Sequence, residues 1–133
     1  MGDFLDCPRK DIELYSSGLF SDLLGMPYDQ IRCYELTREV YHRLGIELPD
    51  YSNVTGISLI KELIIKKKKL TIELDHPEPF CIVLIAKGEV ATHLGVVLDD
   101  CKCFIHSCGT GVTISKLRHW KERIRGYYKW KQE

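Results

Sequence analysis

The pattern of apolar and polar residues divides the chain into a helical first half and a strand-rich second half. In the first half, apolar or aromatic side chains recur at helical spacing at Leu36, Val40, Tyr41 and Leu44. Gly45 follows the last of them, so we predict that this helix ends there. A second apolar stripe, followed by four lysines, predicts another helix within residues 54–69.

From Leu70 onward the apolar residues form short alternating or continuous segments, which are typical of strands. The segment FCIVLIA, residues 80–86, is apolar throughout, so it predicts a strand that is covered on both faces. The other predicted strands are LTIEL, THLGVVL, KCFIHSC, VTISKL and IRGYYKW, with RHWKER as a helical turn before the last. This order predicts an α+β fold in which the N-terminal helices pack on one face of a mostly antiparallel sheet.

Length, charge and cysteine content narrow the class of protein. A chain of 133 residues with 44% hydrophobic and 29% charged residues predicts a single domain over residues 1–133. The formal net charge is zero, which gives no indication of nucleic acid binding, and no apolar segment is long enough for membrane insertion. The start, MGDFLDCPRK, lacks the apolar run of a secretory signal, so we expect the six cysteines to be thiols rather than disulfides.

Cys33 lies at the start of the first predicted helix. The positive end of the helix dipole and the unpaired backbone N–H groups there favour a thiolate, which is the nucleophilic form of cysteine. The alternative is that Cys33 is a small buried apolar residue, which is the commoner role of a free cysteine. Its position alone does not choose between a nucleophile and a core residue.

Two histidines supply candidate partners for this thiol. If Asp99 and Asp100 form a two-residue hairpin loop, His93 lies directly opposite His106 on the same face of the sheet. His93 would then accept the proton of the Cys33 thiol, while His106 would bind the other nitrogen of His93 and fix its tautomer. A hydrogen-bonded pair with a purely structural role is the alternative.

The spacing of Cys101, Cys103, His106 and Cys108 suggests a zinc site as a rival interpretation. If these residues lie on one strand, however, the first two face one way and the last two the other. Four ligands would then not meet one zinc ion, so we predict no metal. Thiolate chemistry itself needs no cofactor.

These residues, in this order, resemble the NlpC family of papain-like cysteine peptidases, which cut cell-wall peptides. That family has a cysteine at a helix start, then H-x-G on a strand, then a polar residue, often histidine, on the next strand. Cys33 in RCYEL, His93 in THLGV and His106 in FIHS match this pattern. The resemblance covers roughly residues 19–130. The segment GMPY resembles the G-x-x-Y of the family, which implies that Tyr28 binds substrate or the oxyanion.

The resemblance implies a papain-like fold and a peptidase that cuts peptidoglycan stem peptides next to D-glutamate. Cys33 would attack the carbonyl group, His93 would act as general base and then as general acid, and His106 would orient His93. The short spacing from Tyr28 to Cys33 looks most like the compact branch found in tail-assembly proteins of tailed phages. That likeness implies phage tail proteins as further partners. The lack of a secretory signal leads us to expect a cytoplasmic or virion-associated location.

The chain departs from the family pattern at several positions. Arg32 and Glu35 change the usual D-C-x-G-L to R-C-Y-E-L, and Pro79 is followed by Phe80 and Cys81 where the family usually has P-G-D. Arg32 would stabilise the thiolate, bind a substrate carboxylate or be a surface charge. Two alternative functions follow: a phage tail assembly or structural protein with little activity, and an acyltransferase or deamidase that uses the same three residues.

Overall fold

The computed structural model describes residues 20–27, 30–31, 33–48, 71–87, 90–108 and 111–130. For Cys33, Lys87, residues 90–92 and Cys108 it describes the backbone alone. The helix predicted within residues 54–69 therefore lies outside the described residues. Among the helices that the structure does describe, none is long and apolar enough to cross a membrane.

The described strands are β1 Thr71–Leu74, β2 Ile82–Lys87, β3 Val90–Val97, β4 Cys103–Cys108, β5 Gly111–Lys116 and β6 Ile124–Trp130. They form one six-stranded antiparallel sheet in the order β1-β6-β2-β3-β4-β5. Strands β2 to β5 follow one another as neighbours, and β6 returns to lie between β1 and β2. Every predicted strand is present, so the predicted α+β fold is confirmed.

The first predicted helix is α1, Cys33–Arg43. Its predicted apolar stripe is buried, since Leu36, Val40 and Tyr41 are each at most 2% exposed. The helix ends in a Schellman motif, in which the N–H of Gly45 donates to the carbonyl of His42 and the N–H of Ile46 donates to that of Tyr41. Gly45 has a φ of 86°, which glycine adopts at little cost, so the predicted helix end is confirmed.

Both faces of the central sheet are covered. Helix α1 and the short 3₁₀ helix Ser21–Leu23 pack on one face, against alternate residues that include Ile82, Leu84, Leu94, Val96 and Ile105. On the other face, a second 3₁₀ helix, Leu117–Arg123, packs against Val83, Ile85, Val97 and Phe104. Residues 82–86 are each at most 5% exposed, which confirms that β2 is covered on both sides.

Phe80, just before β2, has a left-handed backbone with a φ of 63°. It occupies the position of glycine in the P-G-D pattern of the resembled family. A side chain there costs about 1–2 kcal/mol relative to glycine. The Phe80 ring repays part of this cost because it packs edge-to-face on Phe20, with ring centroids 6.4 Å apart.

We expect Phe80→Gly to be more stable than Phe80→Ala by about 1 kcal/mol, because both lose the ring but only alanine keeps the strain. Urea unfolding of the two variants measures the difference. In an ordinary strand the order is the reverse, since glycine costs about 0.5–1 kcal/mol relative to alanine. Glu73→Gly and Glu73→Ala, at an exposed position of β1, provide that control. A Phe80→Ala variant that is the more stable of its pair would contradict the prediction.

The connection between β3 and β4 differs from the prediction. A two-residue loop was expected at Asp99 and Asp100. Instead, the N–H of Leu98 donates to the carbonyl of Cys103 at 2.8 Å, so the loop between this pair covers the four residues 99–102. The Asp100 carboxylate accepts hydrogen bonds from the backbone N–H of Lys102, at 2.9 Å, and of Cys103, at 3.2 Å. Cys101 has a φ of 60°, so the chain turns through the loop rather than entering the strand at this residue.

The longer loop changes the register of β3 and β4 by two residues. Gly95, and not His93, lies opposite His106, so the predicted direct opposition of the two histidines is wrong. A shift of two residues leaves every side chain on its own face, because the side-chain period of a strand is two. His93 and His106 are therefore diagonal neighbours on one face of the sheet.

Candidate active site

The segment that leads into α1 is fixed against β4. Before the helix, the N–H of Ile31 donates to the carbonyl of Pro27 at 3.2 Å, which closes a turn. The Ser107 hydroxyl of β4 donates to the carbonyl of Ile31 at 2.5 Å. Cys33 follows Ile31 by two residues and is the first residue of α1. Its backbone therefore lies at the positive end of the helix dipole, as the sequence predicted.

The structure brings His93 and His106 into direct contact. Nε2 of His93 lies 2.9 Å from Nδ1 of His106, and the two ring planes are 75° apart. His106 is completely buried, whereas His93 is partly exposed. This bond uses Nε2 of His93, so Nδ1 is the nitrogen of His93 that remains for a proton transfer.

The far side of His106 contacts a serine that the sequence analysis did not single out. Nε2 of His106 lies 2.7 Å from Oγ of Ser115 on β5, and Ser115 is also completely buried. The imidazole stacks on the ring of Phe104, with centroids 4.4 Å apart, and meets the ring of Trp120 edge-on at 5.1 Å. Two aromatic rings and one hydroxyl thus fix the orientation of His106.

Burial keeps both histidines neutral near pH 7. It lowers the pKa of His93 to about 4, and the positive charge of Arg123 adds to the effect. Burial also lowers the pKa of His106 to about 3, with further contributions from His93 and Arg123. The Arg123 guanidinium lies over the Trp120 ring, 4.6 Å from its centroid. A neutral His93 has a free lone pair, as a general base requires.

The two histidines lie on the face of the sheet opposite the one that packs against α1. Along β4, Ser107 points to the helix side and holds Ile31, while His106 points to the other side and holds His93. The pairing of β3 with β4 ends at Gly95, so His93 lies beyond it. The pairing of β3 with β2 skips Thr92, which forms a bulge directly before His93. Bulges re-aim side chains and are frequent beside active sites.

The NlpC/P60 family model matches residues 22–129, which is most of the chain. The chain belongs to the NlpC/P60 family. A search of curated proteins found no match. Members of this family are generally cysteine peptidases that act on peptidoglycan, and the α+β arrangement of the chain fits the papain-like fold of the family.

The H-x-G pattern that pointed to the NlpC/P60 family has a steric reason in this chain. A Cβ atom on Gly95 would lie 2.8 Å from Cδ2 of Phe104, 3.0 Å from the carbonyl oxygen of Ile105 and 3.2 Å from Cβ of His106. The glycine therefore lets β4 approach closely enough for His106 to reach His93.

We expect Gly95→Ala to lower the free energy of unfolding by about 1–3 kcal/mol, because the new methyl group overpacks the contact between β3 and β4. Urea unfolding measures this loss. Gly126→Ala on β6 is the matched control, since its Cβ would meet mainly the ring of Tyr128, a side chain that can move. Equal losses of unfolding free energy in the two variants would show that the close contact between β3 and β4 at Gly95 does not exclude a side chain.

The zinc interpretation rested on four residues of one strand. Cys103 packs in the core on the helix side, while His106 lies on the opposite face, as predicted. Cys101 was predicted beside Cys103 but lies in the loop and packs against the other core cluster. The side chain of Cys108 lies outside the described residues. Within the described part of the chain, no group of three or more histidine, cysteine or acidic side chains is arranged to hold a metal ion.

Two predicted site residues, Tyr28 and Arg32, lie outside the described residues, so their roles stay predictions. Sequence reasoning missed Ser115 and Trp120 because neither belongs to a motif. The observed pairing of Phe104 with Ser115 places Ser115 on the face of His106, but that register depends on the loop lengths.

A cavity of about 580 Å³ near the end of α1 includes neither histidine among its lining residues, which include Tyr41, Ile72, Phe80 and Trp130.

Proposed function

We propose that this NlpC/P60 protein is a cysteine peptidase or amidase that hydrolyses peptidoglycan stem peptides next to D-glutamate, as a single domain over residues 1–133. Cys33 is the nucleophile, His93 the general base and acid, and His106 the residue that orients His93. The observation that carries the proposal is the hydrogen bond between Nε2 of His93 and Nδ1 of His106. This bond leaves Nδ1 of His93 free to take a proton. Members of the NlpC/P60 family are generally cysteine peptidases, which need such a base.

In the proposed reaction, Nδ1 of His93 takes the proton of the Cys33 thiol, and the thiolate attacks the carbonyl carbon of the scissile amide. The backbone N–H of Cys33 helps to hold the oxyanion at the helix start. The C–N bond then breaks as His93 returns the proton to the leaving amine. His93 next takes a proton from water, and the oxygen of that water attacks the thioester carbon. The C–S bond then breaks, the proton on His93 returns to the Cys33 sulfur, and the carboxylic acid product leaves.

Substrate binding is assigned in this proposal to Tyr28 and Arg32. Both precede Cys33 closely in sequence, and Arg32 carries a charge that pairs with a carboxylate. A stem peptide cut next to D-glutamate presents such a carboxylate. The replacement of the usual aspartate by Arg32 therefore bears on which peptide is bound rather than on the three reacting residues.

The second candidate function is that of a phage tail assembly or structural protein that keeps the fold with little activity. Glu35 favours it, because a charged side chain stands where the family usually has glycine beside the nucleophile. A third candidate is acyl transfer or deamidation by the same three residues, with an amine in place of water. The location that fits these candidates is the cytoplasm or the virion.

The pH dependence of Cys33 alkylation by iodoacetamide tests the proposed pair. With mass spectrometry reading each cysteine separately, we expect Cys33 to react faster than the other cysteines near pH 7 and to lose this advantage in His93→Ala. Cys81 is an internal control, because burial raises its pKa to about 11. His76→Ala, which removes an exposed histidine, is the matched control variant.

A Cys33 thiol that stays inert up to its ordinary pKa of about 8.5 would contradict the enzyme proposal. The same holds if alkylation of Cys33 is fast but indifferent to His93→Ala. Either result would favour the assembly or structural candidate.

A further inference from the structure

We propose that Ser115 is a positioning residue that accepts a hydrogen bond from Nε2 of His106 and thereby determines which nitrogen of His93 is free to take the thiol proton. The catalytic consequence of this inference rests on the proposed function. The hydrogen-bonding role itself does not, because it concerns only described side chains. The observation behind it is the continuous chain of contacts from His93 through His106 to Ser115.

The protonated state of His93 fixes the direction of both hydrogen bonds, from His93 to His106 and from His106 to Ser115. When both nitrogens of His93 carry protons, Nε2 must donate, so Nδ1 of His106 must accept. A neutral His106 then has its own proton on Nε2. That N–H needs an acceptor, and Oγ of Ser115 lies 2.7 Å away.

Hydrogen bonds donated in the opposite direction, from Ser115 toward His93, do not support catalysis. If the Ser115 hydroxyl donates to Nε2 of His106, then Nδ1 of His106 donates to Nε2 of His93, and the proton of neutral His93 sits on Nδ1. His93 then has no lone pair for the thiol proton. The direction in which Ser115 accepts is therefore the one that leaves the lone pair of His93 on Nδ1, and it stays the same after His93 has taken the thiol proton.

The surroundings of His106 make Ser115 difficult to replace. Both side chains are completely buried, so bulk water does not reach the bond. The nearest rings, Phe104 and Trp120, contact His106 by stacking and by an edge-to-face contact. Neither ring is an oxygen or nitrogen acceptor for the His106 N–H. Without the hydroxyl, the buried N–H would lose its bond, and the tautomer with the proton on Nδ1 of His106 would be favoured.

The test compares Ser115→Ala, which removes the hydroxyl, with Ser115→Thr, which keeps it. Thr113→Ala is the matched control, because Thr113 lies on the same strand, directly opposite His106. In protein with ¹⁵N-labelled histidine, the imidazole nitrogen shifts report each tautomer and each pKa. We expect Ser115→Ala to move the His106 proton to Nδ1 and to reduce the proton affinity of His93 about tenfold or more. Ser115→Thr and Thr113→Ala should both resemble the wild type.

Kinetics then link this role to the reaction. On purified peptidoglycan we expect Ser115→Ala to lower kcat about tenfold to hundredfold with little change in KM, and Ser115→Thr to restore it. If Ser115→Ala leaves the tautomers and the pKa of His93 unchanged, the inference is wrong, whatever the activity. If the nuclear magnetic resonance shifts change as expected but the wild type does not hydrolyse peptidoglycan, the hydrogen-bonding role stands and the proposed function fails.

Discussion

Replacement of Cys33 by alanine should abolish peptidoglycan hydrolysis while leaving the protein folded. We expect a loss of at least about 10³-fold, because the proposed reaction proceeds through a covalent bond to this sulfur and no other group would replace it. His93→Ala should lose about 10²–10⁴-fold, the usual contribution of a general acid and base. Release of stem-peptide fragments from purified peptidoglycan, followed by mass spectrometry, measures both losses and identifies the bond that is cut.

The matched control for this experiment is Cys101→Ala. Cys101 lies in the loop between β3 and β4, outside the candidate site, so its loss should leave hydrolysis unchanged. Unfolding curves of Cys33→Ala establish that the variant keeps its fold. Full activity in Cys33→Ala would refute the proposed nucleophile. A wild-type protein that does not hydrolyse peptidoglycan but transfers the acyl group to an amine would instead be a transferase.

The second large effect concerns the stability of the fold against acid. Burial lowers the pKa of His93 to about 4 and that of His106 to about 3, whereas an unfolded histidine has a pKa of about 6.5. The unfolded chain therefore binds protons between pH 6.5 and 4 that the folded protein excludes. Stability from the neutral pair is fully present above pH 6.5 and is lost as the pH falls toward 4.

Each tenfold difference in proton affinity is worth about 1.4 kcal/mol, so the neutral pair alone should remove several kcal/mol of the free energy of unfolding over this range. Urea unfolding at constant ionic strength, repeated at each pH, measures the slope. In His106→Asn the slope should be clearly shallower, because one of the two groups no longer titrates. His42→Gln, which removes an exposed histidine of α1, is the control.

A wild-type profile that is flat between pH 6.5 and 4 would mean that the histidines are charged in the folded protein. Their contact could then not be the neutral hydrogen bond on which the proposed reaction depends. A slope that is the same in wild type and in His106→Asn would assign the acid sensitivity to other groups. Both outcomes concern the fold alone and need no substrate.

Local sequence patterns were sufficient to predict helix α1 and the six strands. Helix α1 and its end at Gly45 follow from an apolar stripe and one glycine, which act within a few residues. The burial of β2 on both faces follows from an uninterrupted apolar segment. The order of helices and strands then limits the fold to a helical layer on an antiparallel sheet.

The contact between the two histidines was predicted from a partly wrong premise. The loop between β3 and β4 has four residues rather than two, because Asp100 accepts two backbone hydrogen bonds and Cys101 adopts a positive φ. The error did not separate His93 from His106, since a shift of two residues preserves the face. An error of one residue would have placed the two side chains on opposite faces.

The sequence by itself determined the elements, their order and the candidate residues Cys33, His93 and His106, because these depend on periodicity and on motifs within short segments. Only the tertiary structure decided the register of β3 and β4, the burial that keeps the histidines neutral, and the partners of His106. Ser115 and Trp120 reach His106 from a neighbouring strand and from a 3₁₀ helix, so their contacts depend on how distant segments pack. Such packing is fixed by the whole fold, and no local pattern encodes it.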